Sequence, residues 1–280
     1  MLFDSLLFSI FFLSHIHART VSQDSENWEI VGSSYIDAKY LKPLIYEGLT
    51  NNGQDFIMNS KNNIFIMNSN DYTISMSTWN AIPKELQEDG YNHLGDATFF
   101  NNQLYIAVEE PSYTKPSIFV YDIATDSFIF NKHQPQQVQA HMPWVAIDTD
   151  KSVSCSDNYI YSSEFDNVDH LFMYNITTLQ YERKLQLSTT LDKVQGGAIY
   201  KSYLYLGTNV GDTVYKVNLS TGLVTVAMQQ YEPDTRGEYE FEGITFLDLK
   251  TSSGLGVMHN TGNNWENPKE MGKITHCDVV

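Results

Sequence analysis

The sequence predicts an all-β protein, a β-propeller of five blades with four antiparallel strands in each. Three observations carry that prediction. The stretch Ser117 to Phe130 (SIFVYDIATDSFIF) places β-branched and aromatic runs on either side of turn chemistry at Asp122 to Asp126, which reads as a hairpin. The pattern returns as His170 to Tyr181 (HLFMYNITTLQY) and Thr213 to Val224 (TVYKVNLSTGLV), with a fainter copy at Asn63 to Ile74 (NIFIMNSNDYTI). Units of this kind recur at intervals of roughly fifty residues, the spacing of a propeller in which no blade buries both of its faces alone. Finally, Trp28 to Tyr35 reads as a strand with no hairpin partner beside it, while the last unit stops one strand short at Lys273 to Val279. Pairing these two ends closes the ring and removes an exposed sheet edge.

In chain order, Met1 to Ala18 has the apolar run Leu6 to Leu13 and a small residue before Arg19, the build of a cleavable signal peptide. Residues 19–27 are polar and read as a flexible N-terminus, and 28–280 as one propeller domain. The first unit is entered through Glu47 and Gly48, and Asn80 to Gln87 reads as a helical turn capped by Asn80. Later units open at His93-Leu94-Gly95-Asp96, His141-Met142-Pro143-Trp144, Val194-Gln195-Gly196-Gly197 and Phe241-Glu242-Gly243. A sixth blade would result if Thr50 to Ile74 held more strands than these. Glycine just inside four of the five inner strands reads as close backbone approach near the axis.

Composition bounds the partners. A formal net charge of −17 with no basic run argues against nucleic acid or an anionic membrane surface. Beyond the leader, no apolar stretch reaches the roughly twenty residues that span a bilayer. The expected protein is a secreted, extracellular monomer without a membrane span. Two acceptor sequons, at Asn175 and Asn218, fall at hairpin tips where a glycan would stand in water. Cys155 and Cys277 fall in different blades and are read as unpaired.

The connections entering the inner strands and leaving the second strands open on one face, and their polar residues converge on the channel mouth. Glu47, Asp96, Gln195 and Glu242 are the candidate ligands for an axial hard cation, calcium, which takes six to eight oxygens. His93 and His141 are candidate general bases for hydrolysis. Tyr113 and Trp144 offer aromatic surface beside the polar Glu164, Asp166 and Asn209, a combination suited to a small molecule, a glycan or an extracellular protein. Phe165 and Trp265 are further aromatics of this kind. No nucleophile elbow, zinc helix, phosphate loop or dinucleotide fingerprint occurs in the sequence.

The blocks HMPWVAID, YSSEFDN, VQGGAIY with LYLG, and FEGITFLDL resemble those of a family of secreted propellers, most of whose members have no assigned activity. That resemblance implies the fold and an extracellular setting. Glu47-Gly48 and Glu242-Gly243 are also similar to the inner-strand Glu-Gly of calcium-dependent propeller lactonases and esterases, in which the glutamate binds an axial metal. Apyrase-like nucleotidases share a five-bladed calcium propeller and are a more distant likeness. The sequence thus leads to a ligand-binding propeller with calcium in its mouth, and second to a calcium-dependent hydrolase using a mouth histidine.

Overall fold

The computed structural model describes residues 28–35, 46–148, 159–211, 213–229, 239–247, 257–264 and 273–279. The leader and polar segment up to residue 27, Cys155 and Trp265 lie outside the described residues. Among those described, hydrogen bonding groups the strands into five four-stranded antiparallel sheets. Strand β1 (Trp28–Tyr35) precedes the first sheet, which holds β2 (Tyr46–Asn51), β3 (Phe56–Ser60), β4 (Asn63–Met67) and β5 (Ile74–Thr78). The second holds β6 (His93–Phe100), β7 (Gln103–Glu109), β8 (Ser117–Ile123) and β9 (Phe128–Pro135). The third holds β10 (Ala146–Ile147), β11 (Tyr159–Ser162), β12 (Val168–Asn175) and β13 (Tyr181–Leu191). The fourth holds β14 (Val194–Tyr200), β15 (Tyr203–Thr208), β16 (Thr213–Asn218) and β17 (Val224–Gln229). In the fifth, β18 (Tyr239–Leu247), β19 (Val257–Asn264) and β20 (Lys273–Val279) are joined by β1, which pairs with β20 from Trp28↔Val279 to Tyr35↔Lys273.

The hairpins read from sequence correspond to β4–β5, β8–β9, β12–β13 and β16–β17. Their turns are built by side chains that the alternation of apolar residues brackets. Asn175 Oδ1 accepts the N–H groups of Thr177 and Thr178, and Asn218 Oδ1 those of Ser220 and Thr221, so each asparagine shapes its own turn. The helical turn is displaced from its expected position. Helix α1 runs Lys84–Glu88 behind Pro83, and Asn80 takes a left-handed φ of 53° instead of capping it. Proline with φ already near −60° starts a helix at no extra conformational cost.

Among the described residues no sheet has a core of its own. Each of five apolar clusters is shared by two neighbouring sheets, as when Ile57 and Ile64 meet Leu104 and Phe119 between the first and second. Tyr105 and Ile118 meet Ile160 and Phe172 next, then Tyr161 and Met173 meet Leu204 and Leu206. Tyr205 and Val214 meet Phe241 and Ile244, and Leu49 and Phe56 meet Leu247 and Ile274, which returns to the first sheet. This face-to-face sharing is the packing logic of a propeller, and it sets the innermost strands β2, β6, β10, β14 and β18 around one axis. Among the described residues no helix is long and apolar enough to cross a membrane.

Candidate functional site at the channel mouth

Four of the inner strands break register with their neighbours at the same level. The slips fall between Tyr46 and Gly48, Leu94 and Ala97, Val194 and Gly196, and Phe241 and Gly243. Each is a β-bulge, which leaves a residue outside the ladder and re-aims its side chain. The residues so released are Glu47, Gly95 with Asp96, Gln195 and Glu242. A bulge in each strand therefore delivers polar side chains to the axis where regular strands would deliver apolar ones.

Glu47, Gln195 and Glu242, with Glu109 and Glu240, line a cavity of about 270 Å³ at this end of the channel. His93, His141, Tyr113 and Phe165 wall it beside Gly95 and Pro143, and neither Lys nor Arg is among the lining residues. His93 Nε2 lies 3.1 Å from Glu47 Oε2. Burial lowers the His93 ring, but the bond to Glu47 and the charges of Glu47 and Glu109 outweigh it and leave its pKa raised. On the other side, His141 Nδ1 lies 3.3 Å from Glu109 Oε1 without the alignment of a hydrogen bond. Glu109 is only 3% exposed, and its Oε1 accepts the Met142 N–H. Burial pushes Glu109 up to about 7. Burial, reinforced by His93, pushes His141 down to about 4.

The His141 ring sits between two aromatic rings, with centroids 4.4 Å from Tyr113 and 5.3 Å from Phe165. Tyr113, itself in a left-handed conformation at φ 51°, is held there by Glu110. One Glu110 oxygen accepts the Ser112 N–H and hydroxyl and the other the Thr114 N–H and hydroxyl, so the loop wraps its own carboxylate. Burial raises Glu110, but these bonds prevail and depress it to about 2. A carboxyl with a depressed folded-state pKa stabilises above its unfolded value and loses that contribution as pH falls through the folded one. Amide exchange at Ser112 and Thr114 is accordingly expected to accelerate between about pH 4.3 and 2, after correction for intrinsic rates. Glu110→Gln should show the faster exchange already at neutral pH, and a variant as protected as the native protein would overturn the assignment.

Several residues read from sequence as ligands have other work. Asp96 does not line the mouth: it is fully buried one step deeper, with Oδ1 accepting the N–H groups of Leu49 and Ala97, both at 2.9 Å, and Oδ2 that of Gly197 at 3.1 Å. The Ile244 N–H also bonds to this carboxylate. Burial raises the Asp96 carboxyl and the four N–H bonds oppose that rise. Its oxygens are committed to four inner strands and not to a cation. Trp144 is 0% exposed, its Nε1 donating to Ser163 Oγ, so it is interior packing and not a binding surface. Asn209 Oδ1 accepts the Phe241 N–H, and Glu164 accepts the N–H groups of Ala140 and His141, which fixes the strap behind the cavity. Asp166 is exposed and acts on His141 only through its charge. Among the described residues no three His, Cys, Asp or Glu side chains converge closely enough to hold a metal ion.

Neither a protein-family model nor a curated protein matches the chain. A solved structure does: Myxococcus xanthus glutaminyl cyclase, at 10% sequence identity and a TM-score of 0.61, over 91% of this chain and 98% of that one. What the two share is the propeller fold. Glu240 was absent from the residues that the sequence places at the mouth. Glu109, beside Glu110 at a strand exit, belongs to the polar exits that the sequence brings to the mouth, without a role of its own there.

Proposed function

We propose that this propeller, read as a five-bladed ring closed by β1, is a secreted binding protein for a small ligand held in the channel mouth. One observation carries the reading: the bulged strands turn Glu47, Gln195 and Glu242 into a single cavity walled by Tyr113 and Phe165. Polar groups of fixed direction within a partly aromatic concavity are the usual make-up of a small-molecule site. Calcium is the competing occupant, attracted by the same glutamates. A second reading, a hydrolase, is favoured by the Glu109–His141 pair, since a carboxyl near 7 beside a neutral imidazole can exchange a proton at neutral pH. The Myxococcus xanthus neighbour carries an enzyme's name, and a shared fold does not by itself transfer its activity.

Thermal melts with calcium chloride, sugars, small amines and lactones test these readings together, with and without chelator. A ligand at a hundredfold excess over its Kd adds about 2.7 kcal/mol of stability. The binding reading expects at least one shift that Glu47→Gln and Tyr113→Ala both abolish. Shifts that survive both substitutions would place binding elsewhere and overturn it. A calcium shift reversed by chelator and lost in Glu47→Gln and Glu242→Gln would identify the ion. Lactone turnover lost in Glu109→Gln would establish the hydrolase.

A further inference from the structure

Building on the reading of the mouth as a ligand site, we infer that its occupant is a small organic cation, a primary ammonium group seated among the glutamates against the Tyr113 and Phe165 rings. Carboxylates alone would not carry this, since an acidic cluster on a propeller face is ordinarily a solvated one. Here they wall a cavity, and two further features distinguish it. The first is an unmet polar group: His141 Nδ1 is buried without a hydrogen-bond partner, and the side chain bearing it lines the cavity beside the 3%-exposed carboxyl of Glu109. A buried polar atom without a partner is costly in a protein that has no use for it.

The second is the character of the wall. Tyr113, 43% exposed, and Phe165 flank His141 with ring centroids 4.4 and 5.3 Å away, and aromatic faces attract organic cations within about 6 Å of the ring. A bare divalent ion gains little from such a wall and needs a tight cage of oxygens, whereas no three acidic or imidazole groups among the described residues converge to make one. An ammonium group needs only two or three acceptors at hydrogen-bond distance, and it tolerates acceptors spread around a cavity of about 270 Å³. Selectivity follows from the same wall. Anions meet four glutamates with no lining Lys or Arg, and a neutral molecule of equal size forgoes the charge-assisted bonds an ammonium group makes to carboxylates.

Putrescine and 1,4-butanediol, equal in length and differing in charge, are the probes, with calcium chloride in parallel, titrated calorimetrically into the full chain at low ionic strength. The expected result is saturable putrescine binding, at least tenfold tighter than butanediol and weakened at least tenfold in Tyr113→Ala, an exposed site whose truncation spares the core. Glu47→Gln should weaken it comparably. Butanediol binding as tightly as putrescine would overturn the inference while leaving a ligand site in place. So would calcium binding that Glu47→Gln abolishes with no heat from putrescine. Silence from all three probes would overturn the inference, and melts with the sugars and lactones would then decide the site reading separately.

Discussion

Asp96→Ala is expected to prevent folding. The substitution leaves the N–H groups of Leu49, Ala97, Gly197 and Ile244 without their acceptor, at a position from which the native packing excludes solvent. Each buried donor left unmet costs about 1–3 kcal/mol, so four together approach the whole stability of an ordinary domain, about 5–15 kcal/mol. Asp96→Asn keeps the shape and one carbonyl oxygen but turns the other acceptor into a donor facing donors. That variant should fold with a loss of about 3–5 kcal/mol, read as a lowered midpoint in guanidinium at unchanged slope. A soluble Asp96→Ala protein with a native midpoint would show that the four donors have other acceptors, and would reopen Asp96 as a ligand.

Gly95→Ala comes second. A Cβ there would stand 2.3 Å from the carbonyl oxygen of Pro143, an approach that real side chains do not make. Because the obstacle is backbone, β6 or the strap before β10 must move, and the Asp96 N–H bond to that same oxygen, now 2.8 Å, stretches or breaks. The expected cost is about 3 kcal/mol, at the upper end of overpacking effects. Gly53→Ala supplies the comparison, since nothing lies within 4 Å of its Cβ and only its φ of 90° opposes the change, at a cost of about 1 kcal/mol. If the two variants melt alike, close packing at the axis is not what Gly95 provides.

Most of the architecture could be read from residue order, because strands alternate and turns are marked by Asn, Asp and Gly. Trp28 to Tyr35 could be assigned to the last sheet only by counting, and it pairs there with β20. The site was legible where a bulge falls on a Glu-Gly or Gln-Gly pair, as at Glu47, Gln195 and Glu242. Asp96 looked equivalent to these in sequence. Its shorter side chain and two-residue bulge turn it toward the axis, where backbone donors take it up. Trp144 misled for a related reason: Gly197 leaves a slot, and the indole fills it so closely that a Cβ on Gly197 would lie 2.5 Å from the ring. Sequence marked the absence of a side chain at Gly197 without naming what would occupy the space. Glu109 acquires its raised pKa from burial, reinforced by the charges of Glu164 and Glu110, and the burial and the Glu164 contact across sheets are not encoded by any local pattern.

The knot of hydrogen bonds at Asp96 separates the acidic mouth from a second cavity, lined by Thr50, Ala97, Gly197 and Ile244, on its other side. Among the described residues the mouth therefore ends at the Asp96 carboxylate. A ligand held as proposed would enter and leave past Tyr113 alone, its release running back along the path of its entry.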